Sequence, residues 1–247
     1  MPQFLINSKN IENNMVIIDD KENYNHIAKS LRVRVGEDLL LIDENEIQYE
    51  TKVEEITKNY VKASIENSYK SKRKLDYDLY IAISPLNSNA INTIFEKLTE
   101  LGVRGFYPVY TDNCAVKKDV ITKKIERWQK ICYESFKQCE RADIPTCFEL
   151  TTIQEVIKKD FDHILCFTER SSKYQFKEFL NNNKFKQNDK ILVIIGPEGG
   201  FSKAEFEFFE KENLNTISLG ELILRADTAS IVAIGNIIYE NSDIGKA

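Results

Sequence analysis

The chain has 247 residues and a formal net charge of −5, with 42% hydrophobic and 30% charged residues. This suits one large or two modest folded domains and argues against a generic nucleic-acid coat, although phosphate binding needs only local positive charge. No run of about 18 apolar residues is present, so a membrane-spanning helix is not expected. The opening Met1-Pro-Gln-Phe-Leu-Ile-Asn-Ser-Lys9 lacks the basic and apolar regions of a secretory signal. The five cysteines (Cys114, Cys132, Cys139, Cys147, Cys166) show no CxxC spacing, and His26 and His163 are the two histidines. No metal site is expected, and reduced thiols in a cytoplasmic protein are the simplest reading.

Residues 1–68 read as β-rich. Short strands are expected over 3–6, 15–18, 38–43, 47–53 and 60–65, several with period-2 alternation, and one helix over 24–31 interrupts them. Many short, closely spaced strands suggest a small barrel. The densest basic run, Lys70-Ser-Lys-Arg-Lys74, follows as a boundary, and its plainest reading is a solvated linker.

From Asp76 the pattern changes to alternating strands and helices. Strands are expected over 79–83, 106–109, 164–167, 191–195 and 216–219. Helices are expected over 89–101, 121–141, 176–181, 203–213 and 227–240, with another near Glu155. Gly102 stands where a helix C-cap would. Such alternation means a parallel sheet with both faces covered, an α/β fold. The tail after Tyr239 is polar and expected to fray.

Two strand-to-helix loops stand out. Gly196-Pro-Glu-Gly-Gly200 follows an apolar strand, and its glycines permit positive φ and close backbone approach to a ligand. It is neither a Walker A loop nor GxGxxG. Ser202 and Glu205 fit a helix N-cap with its capping box. The second loop is Leu219-Gly-Glu-Leu-Ile-Leu-Arg-Ala-Asp-Thr-Ala229. Apolar Leu222, Ile223 and Leu224 are odd in a solvated connection and make sense lining a slot or threaded into the core. Asp227 or Thr228 is placed to cap the next helix. Ligands in open α/β sheets sit at the carboxyl ends of strands, so the two loops read as one site.

These residues resemble the RsmE family of ribosomal RNA small-subunit methyltransferases, which modify N3 of a uridine. The resemblance rests on Ile195-Gly-Pro-Glu-Gly-Gly-Phe-Ser202 with Glu205, and on Leu219-Gly-x-x-Ile-Leu-Arg-x-Asp-Thr-Ala229. Glu96-Lys-Leu-Thr-Glu-Leu-Gly-Val103 with Pro108 resembles a further family signature, as does Glu126-Arg-Trp-Gln-Lys-Ile131 with Gln138, Arg141 and Pro145. His26, Leu31-Arg32 and Gly36 are weaker matches near the start.

The resemblance implies a PUA-like RNA-binding β-barrel over 1–72, then a SPOUT α/β domain over 73–247 with a C-terminal trefoil knot. It implies a homodimer that acts in the cytoplasm on small-subunit (16S) ribosomal RNA or an assembled 30S particle. S-adenosylmethionine would lie against Phe167, Thr168 and Glu169, against Ile195, Gly196, Pro197, Glu198, Gly199 and Gly200, and against Leu219, Gly220, Leu222, Ile223, Leu224, Thr228 and Ala229. Arg225 is the candidate for stabilising a uridine anion, and Asp227 for accepting its proton or binding the cofactor amine. Arg32, Arg34, Lys72, Arg73 and Arg141 are the candidates for RNA contact.

Four positions, in three places, depart from the family pattern. Asn113 and Cys114 stand where Arg and Ser are usual, Leu86 where Lys is frequent, and Asp227 where Glu is common. Two alternatives stay open from sequence: a SPOUT RNA methyltransferase with another target position, or a non-catalytic RNA-binding assembly protein.

Overall fold

The computed structural model describes residues 2–86, 88–169 and 172–241. The expected frayed tail lies, beyond Asn241, outside the described residues. The chain divides into two compact units. One holds residues 1–74 with 136–143, the other 75–135 with 144–247.

The first unit carries a six-stranded sheet. Its strands are β1 (Gln3–Leu5), β2 (Ile11–Glu12), β3 (Met15–Ile18), β4 (Asp38–Ile42), β5 (Ile47–Ile56) and β6 (Val61–Lys70), in the order β1-β4-β5-β6-β3-β2. β1 pairs with β4 in parallel, and all other pairs are antiparallel. Alternation in β5 and β6 buries Val53, Val61 and Ala63 with Phe4, Val16, Ile18, Leu39 and Leu41. β6 runs past the expected end at residue 65, because Ile47 pairs with Lys70 and Gln48 with Tyr69. The expected helix starts earlier, as α1 (Lys21–Tyr24), since Asp20 caps it by accepting the Asn23 N–H. It continues as a π-helical stretch over Asn25–Leu31.

The second unit is a seven-stranded, wholly parallel sheet. Its strands are β7 (Asp78–Ile83), β8 (Gly105–Pro108), β9 (Thr146–Cys147), β10 (His163–Phe167), β11 (Tyr174–Gln175), β12 (Lys190–Ile195) and β13 (Asn215–Ser218). Their order is β11-β13-β10-β12-β7-β8-β9. Continuous apolar runs such as Ile191-Leu-Val-Ile-Ile195 are buried on both sides, as expected of a covered sheet. Ile191, Val193 and Ile195 face a core completed by α2 (Ser88–Glu100) and by α8 (Ala226–Glu240), through Ile94, Phe95, Leu98, Ala233, Ile234 and Ile237. Leu192 and Ile194 face the opposite core, with Ile153 and Val156 of α5 (Ile153–Val156) and Phe209 of α7 (Lys203–Lys211). α6 (Phe176–Asn182) adds Phe176 and Phe179 to the first core.

The caps follow the sequence closely. Val103 N–H donates to Leu98 O and Gly102 N–H to Thr99 O, a Schellman closure of α2 with Gly102 at φ +90°. Ser202 and Glu205 form the expected capping box of α7. The expected long helix over 121–141 is instead α3 (Lys118–Thr122) followed by α4 (Ile125–Cys139). Lys124 N–H donates to Ile121 O, a tightened turn that lets both Ile121 and Ile125 face the core.

Cys132, Cys147 and Cys166 are buried, whereas Cys114 and Cys139 are half-buried. Burial pushes the Cys147 and Cys166 thiols far above the usual range. Iodoacetamide on the native protein is therefore expected to label Cys114 and Cys139 and to spare the other three until denaturant is added. Peptide mass mapping checks this, and rapid native labelling of Cys166 would contradict the packing.

Candidate functional site

β13, β10 and β12 are neighbours in the sheet, although separated in sequence. The register pairs Phe167 with both Ile195 and Ile217, so their carboxyl ends lie level. Three loops leave these ends together and line a cavity of about 700 Å³. From the first loop come Phe167, Thr168 and Glu169. The second supplies Ile195, Gly196, Pro197, Glu198, Gly199 and Gly200, with Phe201. Ser218, Leu219, Gly220, Leu222, Ile223, Leu224, Arg225, Ala226 and Ala229 come from the third, and Phe206 from α7. The volume falls in the roughly 300–1,000 Å³ range of small-molecule sites.

Nearly every residue expected to bind the cofactor is thus brought to one cavity. Asp227 and Thr228 are the exceptions, since neither lines it. Asp227 Oδ1 accepts the Thr228 N–H at 2.8 Å within the first turn of α8. Neither side chain caps that helix, because it begins one residue earlier and Arg225 occupies the N-cap position without a side-chain bond. A carboxylate in that first turn still opposes the positive end of the helix dipole. Leu222 and Ile223 are 82% and 63% exposed, so they line the cavity and are not threaded into the core.

The glycine loop is held in place from outside. After β8, Thr111 is buried and its hydroxyl shares a 2.8 Å hydrogen bond with Ser84. The Asn113 amide then donates to Gly200 O at 3.0 Å and Gly199 O at 3.4 Å. Ser202 Oγ donates to Asp112 Oδ2 at 2.5 Å, and Asp112 N–H donates to Glu205 Oε1 at 3.2 Å. Close packing disfavours side chains here: a Cβ on Gly196 would lie 2.9 Å from the Phe201 ring, and one on Gly199 3.2 Å from Asn113 Cβ, so a neighbour would have to shift. The sequence marked Asn113 as a departure, but its bracing role was not foreseen. Leu86, the other departure on the substrate side, is buried in the core beside α2.

The RNA candidates fare differently. Arg32 and Arg34 are exposed, and neither forms an ion pair among the described residues. Within the basic run, Lys70 and Lys74 both pair with Glu46, at 3.1 and 2.9 Å, and Arg73 pairs with Glu140. Burial acts upward on the Glu46 carboxyl, but the hydrogen bonds from Lys74 and Lys70 outweigh it and leave its pKa lowered. Lys72 alone in that run is exposed without an ion pair among the described residues. Arg141 is a correction to the sequence reading. Its side chain is buried and donates through Nε and Nη2 to Asp143 Oδ1, at 3.2 and 3.0 Å, so its guanidinium is engaged by a carboxylate and is not an open cation.

Among the described residues no cluster of His, Cys, Asp or Glu could hold a metal, and no helix is long and apolar enough to cross a membrane.

A parallel α/β unit with a cavity at its strand ends, preceded by a β-rich unit, defines a class. Residues 73–238 match the RNA methyltransferase domain, and residues 18–66 match the RNA methyltransferase PUA domain. The protein is therefore an RNA methyltransferase with a mixed α/β fold, in which a PUA-like domain precedes an RNA methyltransferase domain. Within that class, the chain belongs to the RsmE family. It is 28% identical over 227 residues to ribosomal RNA small subunit methyltransferase E of Bacillus subtilis (strain 168), covering 89% of this chain and 88% of that protein. The protein of that name from Rickettsia conorii is 28% identical over 233 residues, covering 94% and 93%. The crystal structure of the Neisseria gonorrhoeae protein of that name, bound to S-adenosyl methionine, superposes with a TM-score of 0.82. It covers 97% of each chain at 22% identity, a likeness of fold.

The brace predicts the behaviour of an isosteric change. Asn113→Asp replaces a donating amide with a carboxylate facing two carbonyls. Amide hydrogen exchange at Gly199 to Phe201 is expected to quicken about fivefold, the equivalent of one lost hydrogen bond of ~1 kcal/mol. Unchanged exchange would show that the loop holds itself.

Proposed function

We propose that this protein transfers a methyl group from S-adenosylmethionine to N3 of a uridine in small-subunit (16S) ribosomal RNA. The observation that carries the reading is the single cavity formed by three loops at level strand ends, in a chain of the RsmE family. The cavity fits the cofactor by its chemistry. Exposed backbone groups of the glycine loop suit polar recognition, Leu222, Ile223 and Leu224 suit an apolar ring, and Glu169 and Glu198 suit a cationic amino-acid group.

When bound, S-adenosylmethionine supplies an electrophilic methyl group on a sulfonium that leaves as a neutral thioether. The chain's own task is to align uracil N3 and to favour its anion. Arg225 lines the cavity and is exposed within it, a fixed positive charge placed to stabilise that anion. Asp227 lies off the lining and steadies the start of α8, so no proton transfer is assigned to it. Thr228 likewise has no cofactor contact in this proposal.

The finer architecture belongs to the same reading. Residues 1–72 form the PUA-like barrel, residues 73–247 form the methyltransferase domain, and the loops around β12 and β13 close a trefoil knot. The enzyme works in the cytoplasm as a homodimer on ribosomal RNA or an assembled 30S particle. The exposed apolar side chains Leu222, Ile223 and Tyr239 support the homodimer, since a second copy would remove them from water.

Two measurements test the reading. Calorimetry is expected to show one S-adenosylmethionine site per chain, and absence of binding would leave a non-catalytic assembly protein. Mass mapping of ribosomal RNA from a deletion strain is expected to lack one N3-methyluridine, and a complete modification set would overturn the assignment. Arg225→Ala is expected to lower kcat roughly 100-fold. Unchanged turnover would remove Arg225 from the mechanism.

A further inference from the structure

Residues 117–130 read Lys-Lys-Asp-Val-Ile-Thr-Lys-Lys-Ile-Glu-Arg-Trp-Gln-Lys, six cations against two carboxylates in a chain of net charge −5. Their fold turns the charge outward. Ile121, Ile125 and Trp128 are buried at helical spacing, and Lys117, Lys118, Lys123, Arg127 and Lys130 are exposed. None of these five, nor Lys124, forms an ion pair among the described residues. Lys118 Nζ instead lies 4.6 Å from the Tyr110 ring centroid. This contrasts with the denser run at 70–74, where Lys70, Arg73 and Lys74 are neutralised by Glu46 and Glu140.

The face begins four residues after Asn113, whose amide holds Gly199 and Gly200 at the cavity. The same covalent stretch therefore joins an open cationic surface to the wall of the proposed methyl-donor site. Five of its six cations are lysines, compact point charges that attract phosphate without the planar fork that reads base edges. Such a surface positions a polyanion and leaves base choice to the cavity.

We propose that this face, centred on Lys117, Lys118, Lys123 and Arg127, binds the phosphate backbone of the substrate RNA and holds it beside the cavity. The proposal rests on the RNA methyltransferase reading and adds a binding surface within the second unit. A net-negative protein repels RNA at long range, so an unneutralised local patch is what draws it in.

The test uses the full chain and a transcript of small-subunit ribosomal RNA in filter binding from ~50 to ~200 mM salt. The variant carries Lys117→Gln, Lys118→Gln, Lys123→Gln and Arg127→Gln. Four lost phosphate contacts at about 0.7 each flatten the slope of log affinity against log salt by roughly 3. The wild-type chain then loses about 50-fold more affinity than the variant across that salt range. The two pairwise variants, Lys117→Gln with Lys118→Gln and Lys123→Gln with Arg127→Gln, should each give about half the effect and guard against misfolding. Parallel slopes with equal affinity would overturn the proposal. So would equal flattening by Lys203→Gln with Lys211→Gln, which would mean that any lysine pair acts alike. S-adenosylmethionine calorimetry on the same samples separates the two readings. Cofactor binding that stays intact while the slope flattens supports both. A wild-type chain that binds RNA through this face but no cofactor would defeat only the catalytic reading.

Discussion

Parallel pairing of β13, β10 and β12 is the constraint on which the site depends. Parallel strands cannot be joined by tight turns, so each must leave the sheet at its carboxyl end and return by a crossover. With Phe167 in register with Ile195 and Ile217, three departures occur at one height and side by side. Together the three level loops line about 700 Å³. The apolar filling of the strands on both faces fixes that register, because a one-residue slip would turn Leu192 and Ile194 toward the wrong core.

A cavity walled by glycine backbone needs support that the glycines cannot give. Each has no side chain to pack, and an added Cβ at Gly196 or Gly199 would force a neighbour to move. The support comes from the segment after β8, through Asp112 and Asn113, and from the α7 capping pair, Ser202 and Glu205. Ser202 and Glu205 therefore serve twice: they satisfy the free N–H groups of α7 and also tie the loop to a neighbouring strand's connection. An amide suits position 113, because it meets carbonyl oxygens there and a carboxylate would repel them.

The local signals were legible from sequence and the distant ones were not. Alternation, apolar runs and caps act over a few residues, so β5, β12, the Gly102 closure of α2 and the Ser202 capping box could be read directly. Both cavity loops after β12 and β13 were legible because their compositions violate the norm for solvated connections. β9 and β11, two residues each, carry no period and exist only through their neighbours. The Asn113 brace joins residues 86 and 87 positions apart, which no local pattern encodes. Charge was the most misleading signal. The run at 70–74 is the densest in the sequence and reads as a solvated linker, yet Lys70, Arg73 and Lys74 have carboxylate partners at 46 and 140, far away in sequence. The cations at 117–130 lie outside the densest basic run, yet none of them forms an ion pair among the described residues.

The cavity wall is left with an energetic debt in Leu222 and Ile223. Full burial of such a side chain is worth about 1.5–3 kcal/mol, and these two remain largely in water. The third loop cannot bury them itself. Ser218 Oγ accepts the Gly220 N–H and donates to Gly220 O, which fixes the loop's start, and α8 fixes its end. A group that enters or docks beside the cavity would cover them. Both proposed occupants, a methyl donor with an apolar ring and a second copy of the chain, would do so. If both do, cofactor affinity and self-association are linked, since each would stabilise the same arrangement of one loop.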